Sequence, residues 1–388
     1  TLFDQRLIIC WITFFFPPSQ EVGMVFTMKC CCCSTLYLII ICLLFCCPAT
    51  EAAQNTLPTL PTLPVVEPDH DQQTVNLDQE KYRKLFLELE QKYQFQPAEL
   101  KQIFQGLKIS QRVLELMDKQ FEKRPYYEYF RLFLTPKMIQ TGKRKLLIYK
   151  DLLARIERQF GVEPEIIVAI WGIETRYGAN QGSFPVLETL NTLFAAYPQR
   201  AKFFRNELIQ FLILCREHGI DMQTVKGSYA GAFGQAQFMP SSFRRFSVSF
   251  DGNDQCDLWH SVPDALASIA NYIKLHGWKN GTPVYAELGN TLKDHRLQTA
   301  MDQGRKGRIP WQVVWSVQTK DLPLSPHSMP LSVIGLELDP KTSEQAYRYV
   351  AGYPNFHTIT EYNHSLLYGM AVSELAEQFK ELELHKEL

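Results

Sequence analysis

The side chain best placed to do chemistry is Glu174, in the run VEPEIIVAIWGIETRYG from Val162 to Gly178. In a helix of 3.6 residues per turn it stacks over Ile170 and Ile167, so its carboxyl points along an apolar face. Desolvation raises a carboxyl pKa, and an acid that keeps its proton near neutral pH is what cleavage of a glycosidic bond requires of its proton donor. The competing reading is a helix-end carboxylate paired with Arg176 or Lys202, with no chemistry of its own.

Three other stretches carry candidate groups. GSYAGAFGQAQFMPSSF, Gly227 to Phe243, concentrates small residues that let backbone approach a ligand closely, and Gln237 offers both donor and acceptor to a sugar amide or hydroxyl; a tight packing loop would use the same composition. Tyr272, Tyr362 and Tyr368 supply the aromatic faces and phenols that suit a sugar ring, or are simply core aromatics. In SFDGNDQCDLW, Ser249 to Trp259, oxygens at Ser249, Asp251, Asn253 and the carbonyl of Gln255, with Asp264 further on, follow the logic of a calcium loop of the EF-hand kind. Ser249 in place of an acid, Asp254 in place of the turn glycine, and an extra residue before Asp264 weigh against it and toward a polar structural loop.

Several classes are excluded. The chain has 40 Lys and Arg against 41 Asp and Glu, a balance that lacks the basic surface a nucleic-acid partner needs. No phosphate-binding Gly loop, Ser-His-Asp order or HExxH is present. Of 10 cysteines only Cys215 and Cys256 lie beyond residue 47, leaving neither a disulfide framework nor a cysteine metal site in the body.

The elements that must position Glu174 are mostly helical. Pro164 suits a first helical position, Glu163 and Glu165 suit the positive end of the helix dipole, and Gly178 suits the far end. Asn76 is expected to cap a helix through Tyr82, Leu85, Phe86, Leu89 and Tyr93, and Pro97 to open a second. Arg144 to Phe160, Arg200 to His218, Pro263 to His276 and Ser365 to Glu381 have the same period. Between Gly281 and Tyr353 prolines and glycines multiply, and WQVVWSV and LSVIGLEL read as strands.

Ahead of this body, 1–27 reads as upstream translation and 28–53 as a secretory signal cleaved after Ala52 or Ala53, its apolar run being short for a membrane span of about 20 residues. An uncleaved signal anchor is the alternative. Lipidation at Cys46 or Cys47 is disfavoured by Phe45 in front of Cys46. The stretch 54–76 repeats TLP and reads as an extended tether, roughly 60 Å long at about 3.1 Å per residue. The closing HKEL matches a retrieval signal only as four residues do by chance.

Four stretches together carry a resemblance: GIETRYG (Gly172 to Gly178), GSYAGAFGQAQFMPSSF, DLWHSVPDALASIANYIKLHGW (Asp257 to Trp278) and YPNFHTITEYNHSLLYGMAV (Tyr353 to Val372). In this order they resemble the membrane-bound lytic murein transglycosylase B family of bacteria, over about Leu77 to Phe379. The resemblance implies a mainly α (α+β) fold: a helical region at 77–160, a lysozyme-like core at 161–280, a small β-containing insertion at 281–353 and a returning helix at 354–388. It implies Glu174 as catalytic acid, and Ser228, Gln237, Tyr272, Tyr362, Asn363 and Tyr368 at substrate-contacting positions. Where the family commonly has two arginines after Tyr197-Pro198, this chain has Gln199 and Arg200, leaving Arg200 as the contact. The implied activity cuts peptidoglycan glycan strands to 1,6-anhydromuramoyl ends, with no cofactor required and a structural calcium as an option. The expected setting is a monomer in the periplasm, tethered through its N-terminus and attached to the outer membrane. A plain muramidase or a non-catalytic peptidoglycan-binding scaffold are the alternatives.

Overall fold

The computed structural model describes residues 73–118 and 124–380, so the leader, the lipidation question and the HKEL terminus lie outside the described residues. Gln73 to Val75 are already part of the body. Val75 N–H donates to Leu107 O and Ile109 N–H to Gln73 O, both at 3.0 Å, which corrects the tether's end at residue 76.

The helices run α1 Glu80–Tyr93, α2 Pro97–Phe104, α3 Gln111–Asp118, α4 Tyr126–Tyr129, α5 Pro136–Ile148, α6 Lys150–Phe160, α7 Pro164–Thr175, α8 Val186–Ala196, α9 Ala201–Glu217, α10 Pro240–Phe246 and α11 Val262–Leu275. After them come α12 His295–Asp302, α13 Trp311–Val317, α14 Pro354–Tyr362 and α15 Leu366–Lys380. Two sheets complete the described fold: β1 Phe184–Pro185 with β2 Lys226–Gly227, and an antiparallel trio of β3 Tyr285–Gly289, β4 Ser332–Glu337 and β5 Tyr347–Gly352 in the order β3-β5-β4.

The centre of the main core is α7. Pro164 opens it as expected, and every residue from Ile166 to Thr175 is buried because α5, α6, α11 and α15 surround it. A helix apolar all round is a core helix, so the sequence's single apolar face was too narrow a reading. Its end is tighter than a single glycine cap: Arg176, Tyr177 and Gly178 have φ of 52°, 63° and 84° in succession. This left-handed turn folds the Tyr177 ring back beneath Gly172, and the phenol donates to Met138 O at 2.7 Å.

The trio of strands is covered on both faces. Val333 and Ala351 face a cluster with Leu297 and Val314 from α12 and α13, while Ile334, Leu336 and Val350 face Phe356, Met370 and Tyr126 from α14, α15 and α4. LSVIGLEL therefore holds β4 as expected. WQVVWSV does not form a strand: it is α13, with Pro310 ahead of it and Trp311 stacked on Trp315 at 6.0 Å across one turn. A short apolar run fits either period, and helical stacking decided this one.

Two further expectations need correction. Asn76 accepts Asp78 N–H at 2.9 Å in a local turn, and α1 starts after Gln79. The single helix expected from Arg144 to Phe160 is two, meeting at Tyr149.

Because a Cβ on Gly172 would sit 2.7 Å from the Tyr177 ring, Gly172→Ala must displace a side chain that is only 6 % exposed. Overpacking of this kind costs about 1–3 kcal/mol. The expected outcome is a lowered melting point; an unchanged melt would mean that Tyr177 moves aside freely.

Candidate active site

Glu174 sits in the last turn of α7, 7 % exposed, beside a concavity lined also by Phe133, Met138, Thr175, Arg176 and Asn180. Its Oε1 accepts a 2.7 Å hydrogen bond from the phenol of Tyr368, which is fully buried on α15. Burial lifts the carboxyl from its ordinary 4.5 to about 8, and the Tyr368 hydrogen bond partly opposes that rise. Those two influences account for the shift. Neither Arg176 nor Lys202 acts as an ion-pair partner in it, and among the described residues no second carboxylate contributes. The group is therefore an acid that is mostly protonated at neutral pH and can release the proton when a neighbouring oxygen gains basicity.

The loop opposite is tied to α7 by a chain of amides that the sequence reading missed. Trp171 Nε1 donates to Gln235 Oε1 at 3.1 Å, Thr175 Oγ1 to Gln235 O at 3.0 Å, and both Gln235 and Gln181 donate to Trp259 O. Gln237 then donates through Nε2 to Gln181 O and Gly234 O, at 3.1 and 2.6 Å, with its backbone at φ 50°. With the NH₂ committed to two carbonyls, Oε1 is fixed as the other end of the amide, and it is buried without a hydrogen-bond partner among the described residues. Thr175, adjacent to Glu174 in an otherwise apolar helix, and the alternation GQAQ were the signals available for this network.

Asn363 at the end of α14 is 4 % exposed and its Oδ1 is likewise unpartnered among the described residues. Buried acceptors of this sort are rare because each one left unmet is costly, which makes the pair a natural place for ligand N–H or O–H groups. Tyr272 and Tyr362 form a wall with Phe238, Phe246 and His276: Tyr272 lies 4.8 Å from Tyr362 and stacks on His276 at 4.0 Å. Their phenols are committed, Tyr272 donating to Glu361 O at 2.7 Å and Tyr362 to Ala236 O at 2.6 Å. Burial raises both phenol pKa values, with the Glu174 charge adding to each, so the wall stands within electrostatic reach of the acid.

Two expected contacts are placed differently. Ser228 is fully buried and its Oγ accepts N–H from Ala230 and Ala232, both at 3.0 Å, so it shapes the loop and presents no surface to a ligand. Arg200 lies at the start of α9 with its guanidinium over Phe203 and Phe204, at 4.4 and 5.1 Å; its charge is felt by His364, next to Asn363, and does not figure in the shift of Glu174.

The acidic loop does not fit a cation. Asp264 is fully buried and spends its carboxylate on three backbone N–H groups: Phe250 at 2.7 Å and Asp251 at 3.2 Å on Oδ1, and Asp257 at 2.8 Å on Oδ2. Ser249 Oγ donates to Asn253 O, and Asp251 Oδ1 accepts Asn253 N–H at 3.0 Å. Of Ser249, Asp251, Asn253, Gln255 and Asp264, this leaves Asp251 as the one carboxylate facing outward; Asp257 in the same loop is taken up by Trp259 N–H and His260 N–H at 2.8 and 3.0 Å, so the carboxylates are spent on the loop's own backbone rather than gathered for calcium. No group of three or more His, Cys, Asp or Glu is arranged to hold a metal among the described residues.

The raised pKa makes a test of the site. Since the folded value of about 8 exceeds the ordinary 4.5, the folded chain holds a proton that the unfolded chain releases; this stability is present below pH 4.5 and lost as pH rises to 8. At about 1.4 kcal/mol per unit the loss amounts to a few kcal/mol. Melting curves of wild type and Glu174→Gln should therefore diverge with rising pH in favour of the variant. Tyr368→Phe, which removes the bond that favours the carboxylate, should move the alkaline limb of the rate profile to higher pH; a limb that stays put would mean that Glu174 is not the group titrating.

Residues 78–377 match the family described as the transglycosylase SLT domain. The chain is 38% identical over 297 residues to membrane-bound lytic murein transglycosylase B of Escherichia coli (strain K12), covering 74% of this chain and 79% of that one. Among solved structures it is similar to the Escherichia coli lytic transglycosylase Slt35 in complex with bulgecin A, with a TM-score of 0.71 and 35% identity over 81% of this chain and 98% of the other. The Slt35 structure in complex with calcium gives a TM-score of 0.69 and 34% identity with the same coverages. A family match over most of the body, together with these likenesses, makes the chain a member of the SLT transglycosylase family.

Proposed function

We propose that this chain is a lytic transglycosylase that cuts the β-1,4 bond between N-acetylmuramic acid and N-acetylglucosamine in peptidoglycan. The observation that carries the reading is a glutamic acid held protonated by burial, with no second carboxylate acting on it among the described residues. Hydrolysing glycosidases pair two carboxyls, one for the leaving group and one for a nucleophile or water. Here Glu174 donates its proton to the glycosidic oxygen as the C1–O bond breaks, and the freed N-acetylglucosamine end leaves with a new hydroxyl. The substrate's own N-acetyl oxygen stabilises the cationic C1. Glu174, now a carboxylate, takes the proton of the muramoyl C6 hydroxyl as O6 bonds to C1. The ring product is a 1,6-anhydro sugar, the acid is regenerated, and water is not consumed.

The tyrosine wall offers faces for sugar rings, Gln237 Oε1 and Asn363 Oδ1 offer acceptors for acetamido N–H or hydroxyl donors, and Tyr368 donates a hydrogen bond that favours the carboxylate form Glu174 takes after giving up its proton. Arg200 lies farther along, beside the loop bearing Asn363 and His364. In this reading 73–380 works as one body, delivered by the signal at 28–53 to the periplasm and held near the outer membrane by the tether; the relative's membrane-bound name supports the setting. No described helix is long and apolar enough to cross a membrane.

Glu174→Gln keeps the shape of the acid but can neither give nor take a proton. With two proton transfers removed, each worth about 10²–10⁴-fold, turnover should fall at least about a thousandfold while the fold persists. Mass spectrometry of muropeptides after digestion identifies the reaction: anhydro ends from wild type support the proposal, reducing ends indicate a muramidase, and no new ends a binding scaffold. For the loop at Ser249–Trp259, melting points in millimolar calcium and in chelator should coincide; a rise with calcium would show that Asp264 gives up its backbone bonds to a metal.

A further inference from the structure

At the corner where α5 meets α6, two neighbouring aliphatic side chains face solvent: Leu147 is 69 % exposed and Ile148 is 60 % exposed. The corner is braced from within. The Tyr149 ring stands edge-on to the buried Trp171 at 6.0 Å, and Lys145 Nζ lies over both rings, at 5.6 and 5.2 Å. Arg144 precedes Leu147 and Ile148 by one helical turn and shares their face. With Lys143, Lys145 and Lys150 it makes a run, 143–150, that has four cations and no acid in a chain whose net charge is −1.

The acids nearest this run do not cancel it. Asp151 is the one acid adjoining it in sequence. From α15, which meets α5 where the Phe379 ring faces Gly142, Glu374 is bonded to Arg348 and Tyr126, Glu377 to Tyr285, and the helix ends in Lys380. From α7 the nearby faces are the apolar ones around Trp171, and from α6 the charges beyond Asp151 are the exposed Arg155 and Arg158 and the part-buried Glu157, two turns past Lys150.

We propose that this corner docks the body onto an anionic phospholipid bilayer, with Leu147 and Ile148 entering the boundary between headgroups and acyl chains and Lys143, Arg144 and Lys150 facing phosphates. Adjacent aliphatics on a convex corner, ringed by Lys and Arg, match the division of labour at a lipid interface. A protein interface would be expected instead to centre on a wide patch with aromatic anchors, which this corner lacks. The site is separate from the N-terminal tether. A tether limits distance, whereas a rigid corner also sets orientation: Met138, ten residues earlier on α5, lines the concavity of Glu174, about 15 Å along the helix axis.

Hydrogen exchange read by mass spectrometry on the full chain tests this, because it reports protection at the corner itself, independently of any binding through the apolar sequence at 36–45. Amides in 143–150 should slow severalfold with vesicles containing phosphatidylglycerol, not with phosphatidylcholine alone, and the slowing should fade as salt is raised. Leu147→Ser with Ile148→Ser, and separately Arg144→Glu with Lys150→Glu, should each abolish it without lowering the melting point, since all four side chains are exposed. If the apolar variant unfolds, the charge-reversal pair decides alone. Protection that is absent, equal on neutral lipid, or retained in the charge-reversed chain overturns the proposal.

Discussion

Keeping one carboxyl out of water is the constraint on which the rest of this molecule depends. Glu174 would be ionised and unremarkable on a surface helix; enclosed by α5, α6, α11 and α15 it holds its proton to about pH 8. The cost is a few kcal/mol of folding stability at neutral pH, comparable to a sizeable share of what a domain retains. The surrounding core must be tight enough to absorb that cost. Gly142 and Gly172, each within van der Waals reach of Tyr177 or Phe379, show how little space is left.

The same constraint explains the polar machinery. A buried acid can act only if the chain turns sharply away from it, and the left-handed run Arg176 to Gly178 does so within one turn. Consecutive residues in that region are costly unless their surroundings fix them. Tyr177 is fixed by Met138 O, Gly178 by Thr175 Oγ1, and the opposing loop by Gln235. Rigid positioning of donors and acceptors ahead of the reaction is what lets a site stabilise developing charge without reorganising.

Much of this was legible in the chain, because Glu174 breaks an apolar period that only a helix explains, and the small-residue loop and tyrosines have few competing uses. What escaped was whatever depends on partners distant in sequence. Ser228 has the residue type of a ligand contact, yet its hydroxyl is spent on the N–H groups of its own turn. Asp264 has the spacing of a metal ligand, but it is a helix-start carboxylate that gathers backbone N–H groups from the loop before it. Periodicity reports faces and not neighbours, so α7 looked half-exposed, and α13, too short to show a period, looked like a strand.

The bond between Tyr368 and Glu174 spans 194 residues. The acid is made well before the phenol that hydrogen-bonds to it, which lies on α15, the last described helix. α15 is one of the helices that enclose α7, so the burial that raises the carboxyl's pKa is completed only when it docks. Reactivity is thereby linked to completion: the proton donor and the helix that finishes its enclosure come from distant parts of the chain and meet only in the finished fold.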